Sequence, residues 1–177
     1  MKRIFFLIFL VAVSANLQAQ TRVNPVIKNY GTVTEVPFAD ELPDPKMDYK
    51  VLVEVTSDNT HPEQVHEMFD KVAAVVNLHA LGGIPAKKLH VIMVIHSAAS
   101  AFVVNNEVYR KKYGVDNPNI PLFKELTDAG VTIFVCGQSV NKRKLTNDEL
   151  APGIKVALSA ITTLTTYQLK GYALLKY

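Results

Sequence analysis

The run Leu89-His-Val-Ile-Met-Val-Ile95 is apolar at every position but His90. A strand of that kind has no polar face to give to water, and strands buried on both faces belong to parallel sheets covered by helices on either side. Two more stretches share the character. Val131-Thr-Ile-Phe-Val135 is β-branched or aromatic throughout and lies between Gly130 and Gly137. Tyr49-Lys-Val-Leu-Val-Glu-Val55 ends at the polar Thr56-Ser-Asp-Asn59. Ile154–Leu158 and Tyr172–Tyr177 supply a fourth and a fifth strand.

Helical patterns separate these runs. Thr60 and Glu63 form a capping box, and Val65, Phe69, Val72, Val76 and His79 follow as a stripe stopped by Gly82-Gly83. Ala98–Val104 has room for one or two helical turns, whereas Asn105–Asn119 is polar and reads as an inserted, lid-like loop around the basic run Arg110, Lys111, Lys112. Pro121–Ala129 is a short helix, and Asn141–Lys144 a solvated basic loop. Thr146 and Glu149 form a second capping box for a short helix cut off at Pro152-Gly153. Ser159–Leu169 is a helix stopped by Gly171. Strands and helices alternating in this way predict a three-layer α/β/α fold with a mostly parallel sheet of about five strands.

The ends of the chain divide from this domain, which spans residues 49–177. Lys2 and Arg3 precede the apolar run Ile4–Val13, and small and polar residues follow to Gln20. That is the pattern of a secretory signal peptide over residues 1–20, too short to span a bilayer. It predicts a periplasmic or secreted protein with no stable membrane anchor after cleavage. Residues 21–48 carry Pro25, Pro37, Pro43 and Pro45 and read as an extended arm with one short edge strand at Gly31–Val36. Loss of residues 1–20 takes two of the 19 basic residues, leaving 17 against 16 acidic ones. A nearly neutral chain offers no footprint for nucleic acid.

Cys136 is the one cysteine of the chain, so no intramolecular disulfide forms. It stands where a strand becomes a loop. In a parallel sheet that is the carboxyl edge, where α/β proteins place their ligands. Three strand ends meet there: Ser57-Asp58-Asn59, His96-Ser97, and Cys136-Gly137-Gln138-Ser139. Backbone N–H groups at such ends favour thiolates and anions, which makes Asn59, Ser97, Gly137, Gln138 and Ser139 candidate ligand-binding residues. If the strands are neighbours, His96 is a candidate base for Cys136. The plainer readings stand beside these: Cys136 as a buried apolar residue and His96 as a hydrogen-bonded strand end. His61 and His66 miss helical metal-pair spacing, and His79 lies on the apolar stripe, so no metal site is expected. Gly-x-Ser-x-Gly is missing, and with it any motif support for a serine hydrolase.

With these residues in view, the domain resembles the DsrE/DsrF-like family, the sulfur-relay group that includes the tRNA-thiolation sulfur carriers. The opening strand Tyr49–Val55, the strand running into His96-Ser-Ala-Ala99, and Leu126–Val131 leading to Val135-Cys-Gly-Gln-Ser139 carry the likeness. So does the ending Leu164–Tyr172. The resemblance implies an α/β/α fold and frequent homo-oligomers; no cofactor is expected. It also implies a cysteine, at the position of Cys136, that carries sulfur as a persulfide to or from a donor or acceptor protein. Two other readings remain open: a binding module in which Cys136 is packing, and an oligomer-forming protein whose arm clasps a neighbouring subunit.

Overall fold

The computed structural model describes residues 21–177; the signal-peptide reading of residues 1–20 falls outside them. In chain order, two short strands, β1 (Arg22–Val23) and β2 (Val33–Thr34), pair antiparallel. Then come β3 (Tyr49–Val55), α1 (Glu67–Leu81), β4 (Leu89–Ile95), α2 (Asn106–Tyr113) and α3 (Ile120–Asp128). The chain ends with β5 (Thr132–Cys136), α4 (Gly137–Lys142), β6 (Ile154–Ala157), α5 (Ala160–Leu169) and β7 (Ala173–Lys176).

The main sheet has the order β6-β5-β4-β3-β7, and all its pairings are parallel. The run that demanded two buried faces, β4, is indeed the central strand. Val53 lies opposite Met93 and Met93 opposite Ile133, and these side chains share one face with Phe69 of α1 and Phe123 of α3. Leu52, Ile92 and Val94 point to the other face, where Ala160, Leu164 and Tyr167 of α5 cover them. This is the expected three-layer α/β/α arrangement.

Four local expectations change. The Thr60–Glu63 box does not start α1, because Asn59 captures that segment for a turn. Its Oδ1 accepts the His61 N–H at 3.1 Å and its Nδ2 donates to the Gln64 carbonyl at 3.1 Å. The N-cap is His66, fully buried, whose Nδ1 accepts the Met68 N–H at 3.1 Å while Nε2 reaches the Ser57 carbonyl at 3.0 Å.

The polar stretch Asn105–Asn119 is not a lid but the helix α2 and its exit. Asn105 caps it, accepting the Val108 N–H at 3.0 Å, and Gly114 ends it with φ 78°. Arg110, Lys111 and Lys112 are its solvent face. Tyr109, one position from that run, is completely buried and donates its hydroxyl to the Pro62 carbonyl at 2.7 Å. The Asn141–Lys144 loop is likewise half helix, since α4 runs through Lys142. The second capping box, Thr146 with Glu149, forms as expected.

The arm adds no edge strand to the main sheet. Its β2 pairs only with β1, and the segment between them lies on the protein's own α1. Asn77, fully buried in α1, accepts from the Val26 and Ile27 amides and donates to the carbonyls of Ile27, Tyr30 and Gly31. Gly31, at φ 58°, passes so close to α1 that a Cβ would stand 2.2 Å from the Ala74 nitrogen. Among the described residues no helix is long and apolar enough to cross a membrane.

Candidate functional site

Because β3, β4 and β5 are adjacent and parallel, their carboxyl ends reach the same edge. Register sets Val55 opposite Ile95 and Ile95 opposite Val135, so His96 and Cys136 follow at matching positions. Alternation along the strands turns Glu54, His96 and Cys136 to the face that carries α5.

Cys136 is only 6% exposed and packs with Leu52, Ile92, Val94 and Ala160. It caps α4, which begins directly at Gly137. Burial pushes the thiol's pKa up, yet the net displacement is downward. The neighbouring backbone N–H groups of Ala160, Ser139 and Gln138, together with the Ser139 hydroxyl, favour the thiolate and outweigh burial. Gly137 is required for this junction. A Cβ there would lie 2.6 Å from the Ala157 carbonyl oxygen of β6. Gln138 is committed beside it, its Nε2 donating to the Leu158 carbonyl at 3.1 Å.

His96 is next to Cys136 in the sheet, but its ring nitrogens are engaged elsewhere. Nε2 meets Glu54 Oε1 at 2.8 Å, and Nδ1 meets Ser97 Oγ at 3.0 Å. Glu54 is buried, with Lys176 Nζ 3.6 Å from its other oxygen. Ser97 turns the chain at φ 53°, a left-handed conformation held in place by its own carbonyl. That oxygen accepts the Ser100 hydroxyl at 2.7 Å and Arg143 Nη2 at 3.0 Å, while Arg143 Nε donates to Ser100 Oγ at 2.8 Å.

Ser97, Gln138 and Ser139 line a cleft of about 910 Å³ together with Lys112, Lys142 and Arg143. Asn59 is not in that cleft. It lines a smaller neighbouring pocket of about 330 Å³ with Lys112 and Arg143, and its side chain is taken up by the turn described above. Ser97, Gln138 and Ser139 thus lie in one cleft with Lys142 and Arg143, whereas the sequence reading passed over Glu54. A single carboxylate inside the otherwise apolar, buried run Val51–Val55 was the available signal for Glu54. The basic run marks Arg143 as a charge, but its partners Ser97 and Ser100 lie more than forty positions earlier. Among the described residues no cluster of three or more His, Cys, Asp or Glu side chains is placed to hold a metal.

Comparison with known proteins agrees with this architecture. The structure is similar to that of a protein of unknown function from Methanobacterium thermoautotrophicum, with a TM-score of 0.57 and 19% identity over 73% of this chain and all of that one. It is also similar to the ychN protein from E. coli, at a TM-score of 0.54 and 16% identity, covering 73% of this chain and 99% of that chain. At such identities the likeness is one of fold. No curated protein matches the chain significantly. Residues 50–177 match the model of the DsrE/DsrF-like family, which is most of the chain. The chain belongs to the DsrE/DsrF-like family.

Proposed function

We propose that this protein is an exported sulfur carrier in which Cys136 holds sulfur as a persulfide. The family is linked to sulfur relay, and the observation that carries the reading is the thiol's setting. Cys136 stands at the start of α4, and the polar groups around it, the Ser139 hydroxyl among them, lower its pKa against its own burial. A thiolate so held attacks the outer sulfur of a donor persulfide. The donor's S–S bond breaks, its inner sulfur leaves as a thiolate, and Cys136 keeps the transferred sulfur as Cys–S–SH. Transfer to an acceptor thiolate reverses these roles. His96, one strand away, serves as the base only after releasing Ser97.

Export to the periplasm or beyond rests on the pattern of residues 1–20. Homo-oligomer formation rests on the α5 side of the molecule, where Leu158, Ile161 and Leu169 are 76%, 77% and 84% exposed. The test is the rate of Cys136 alkylation against pH on the mature protein, with intact-mass detection of added sulfur. A midpoint below the free-cysteine value of about 8.5 and a 32-dalton adduct (one sulfur atom) after incubation with a persulfide donor support the carrier. A thiol that reacts only after denaturation ends it.

A second reading has its own observation. Cys136 is 6% exposed among Leu52, Ile92, Val94 and Ala160, which suits a packing residue in a ligand-binding or oligomer-forming module. It predicts that Cys136→Ser leaves sulfur acceptance unchanged because there is none.

A further inference from the structure

The hydrogen bonds around His96 form a chain of three groups that ends at an exposed hydroxyl. Glu54 Oε1 lies 2.8 Å from His96 Nε2, and His96 Nδ1 lies 3.0 Å from Ser97 Oγ. A carboxylate can only accept, so the ring donates Nε2–H to Glu54 and keeps the Nδ1 lone pair for the Ser97 hydroxyl proton. Nucleophile, base and orienting carboxylate therefore stand in order, within hydrogen-bond reach, which is how such triads are recognised on unrelated folds. No Gly-x-Ser-x-Gly motif is needed for this: the two reacting residues are sequence neighbours and the carboxylate comes from the adjacent strand, β3.

Three further observations point the same way. Ser97 is exposed, and it holds φ 53° at a sharp strand-to-helix turn. A left-handed serine is strained by about 1 kcal/mol or more and persists where its surroundings fix it. Here the Ser100 hydroxyl and Arg143 clamp its carbonyl at 2.7 and 3.0 Å. Ser97 also lines the 910 Å³ cleft, whose walls combine Ala98, Ala101, Val104 and Val108 with the cations Lys112 and Lys142.

We propose that Ser97, His96 and Glu54 form an acyl-transfer site that hydrolyses carboxylic esters carrying an apolar acyl chain and an acidic group. Ser97 Oγ attacks the ester carbonyl and its proton passes to His96 Nδ1. The C–O bond to the alcohol breaks, and the departing oxygen takes that proton. Water, deprotonated by the same nitrogen, then attacks the acyl-serine, releasing the carboxylic acid and restoring the Ser97 hydroxyl. Ester and water give acid and alcohol, with no oxidant or metal. Glu54 is a positioning residue that holds the ring in the tautomer this requires.

The experiment treats the mature protein with a fluorophosphonate and maps the adduct by peptide mass. Hydrolysis of p-nitrophenyl hexanoate and of mono-p-nitrophenyl adipate is measured alongside. The expected adduct lies on Ser97, the acidic ester is preferred, and Ser97→Ala lowers kcat by about a hundredfold or more. Ser97→Gly, which accepts the left-handed turn without strain, gives the same loss in a fold whose melting temperature is unchanged or raised. Glu54→Gln lowers kcat while KM holds. An adduct on Cys136 or any other residue overturns the site, as does hydrolysis by the Ser97→Gly variant equal to that of the parent.

Discussion

The Ile27 amide donates to Asn77 Oδ1 at 2.9 Å, and Asn77 Nδ2 donates back to the Ile27 carbonyl at 3.1 Å. This reciprocal pair, fifty positions apart in the chain, makes the arm part of the domain. The same amide serves Val26, Tyr30 and Gly31. All of a buried Asn side chain's hydrogen-bonding capacity is used on foreign backbone, and Ile27 itself is 1% exposed.

Asn77→Ala therefore leaves several backbone groups without partners in a dry site. A loss of about 3 kcal/mol is expected, since each unsatisfied buried group costs about 1–3 kcal/mol. Urea unfolding of the variant should show a lower midpoint, and limited proteolysis should cut within residues 24–31 before the main sheet is attacked. If the midpoint is unchanged, the arm does not contribute to the folded domain.

The sequence revealed most where burial is complete and least where polar side chains bond to distant backbone. Tyr49–Val55 and Leu89–Ile95 appear with the bounds their composition predicts, because an apolar run has one way to escape water. Asn105–Asn119 looked like a loop because its charges outnumber its core residues. Yet Tyr109 and the buried Asn117 fix the segment, Asn117 Nδ2 donating to the Phe102 carbonyl at 2.9 Å. Asn59 and Asn77 show the same limit. An asparagine can be a turn, a cap or an internal clamp, and only the partner decides which. At the site, strand order was the missing quantity: once β3, β4 and β5 are neighbours, Glu54 meets His96, and no spacing in the sequence anticipates that.

Gly137 has a similarly checkable role. With its Cα already close to β6, a methyl at this position would meet the Ala157 carbonyl oxygen at 2.6 Å, a backbone atom that cannot swing aside. Gly137→Ala should cost about 2 kcal/mol as an overpacked position. It should also displace the Gln138 and Ser139 N–H groups from Cys136 and so raise the thiol pKa. Thermal unfolding reads the first effect and the pH profile of alkylation the second. Wild-type stability with an unchanged profile would mean β6 yields freely.

His66 links stability to pH. Burial holds its pKa below the ordinary histidine value, outweighing its bond to the Ser57 carbonyl and the nearby carboxylates of Asp58 and Glu67. The folded pKa is thus depressed, so between it and about 6.5 the unfolded chain binds more protons than the folded one. Stability is then greatest above pH 6.5 and declines as pH falls through that value toward the folded pKa. The urea midpoint should be lower at pH 5 than at pH 7.5. His66→Asn keeps a capping oxygen but cannot titrate, so it should flatten this difference even though it loses the stacking on Phe69 at 4.3 Å. A slope as steep as the parent's would assign the effect to another group.

The thiol gives the last prediction. Desolvation works against the Cys136 thiolate, and the neighbouring polar groups of Ala160, Ser139 and Gln138 outweigh it. Of these, only the Ser139 hydroxyl can be deleted without touching the backbone. Ser139→Ala removes one donor to the charged form, so the thiol pKa must rise and the thiolate fraction at neutral pH must fall. Alkylation near pH 7 should slow several-fold, while the rate at high pH, where the thiol is ionised in both proteins, stays the same. Equal slowing at every pH would instead report a change in access to the sulfur. An unchanged profile would mean that the backbone donors alone hold the thiolate, and that the hydroxyl faces the cleft for another purpose.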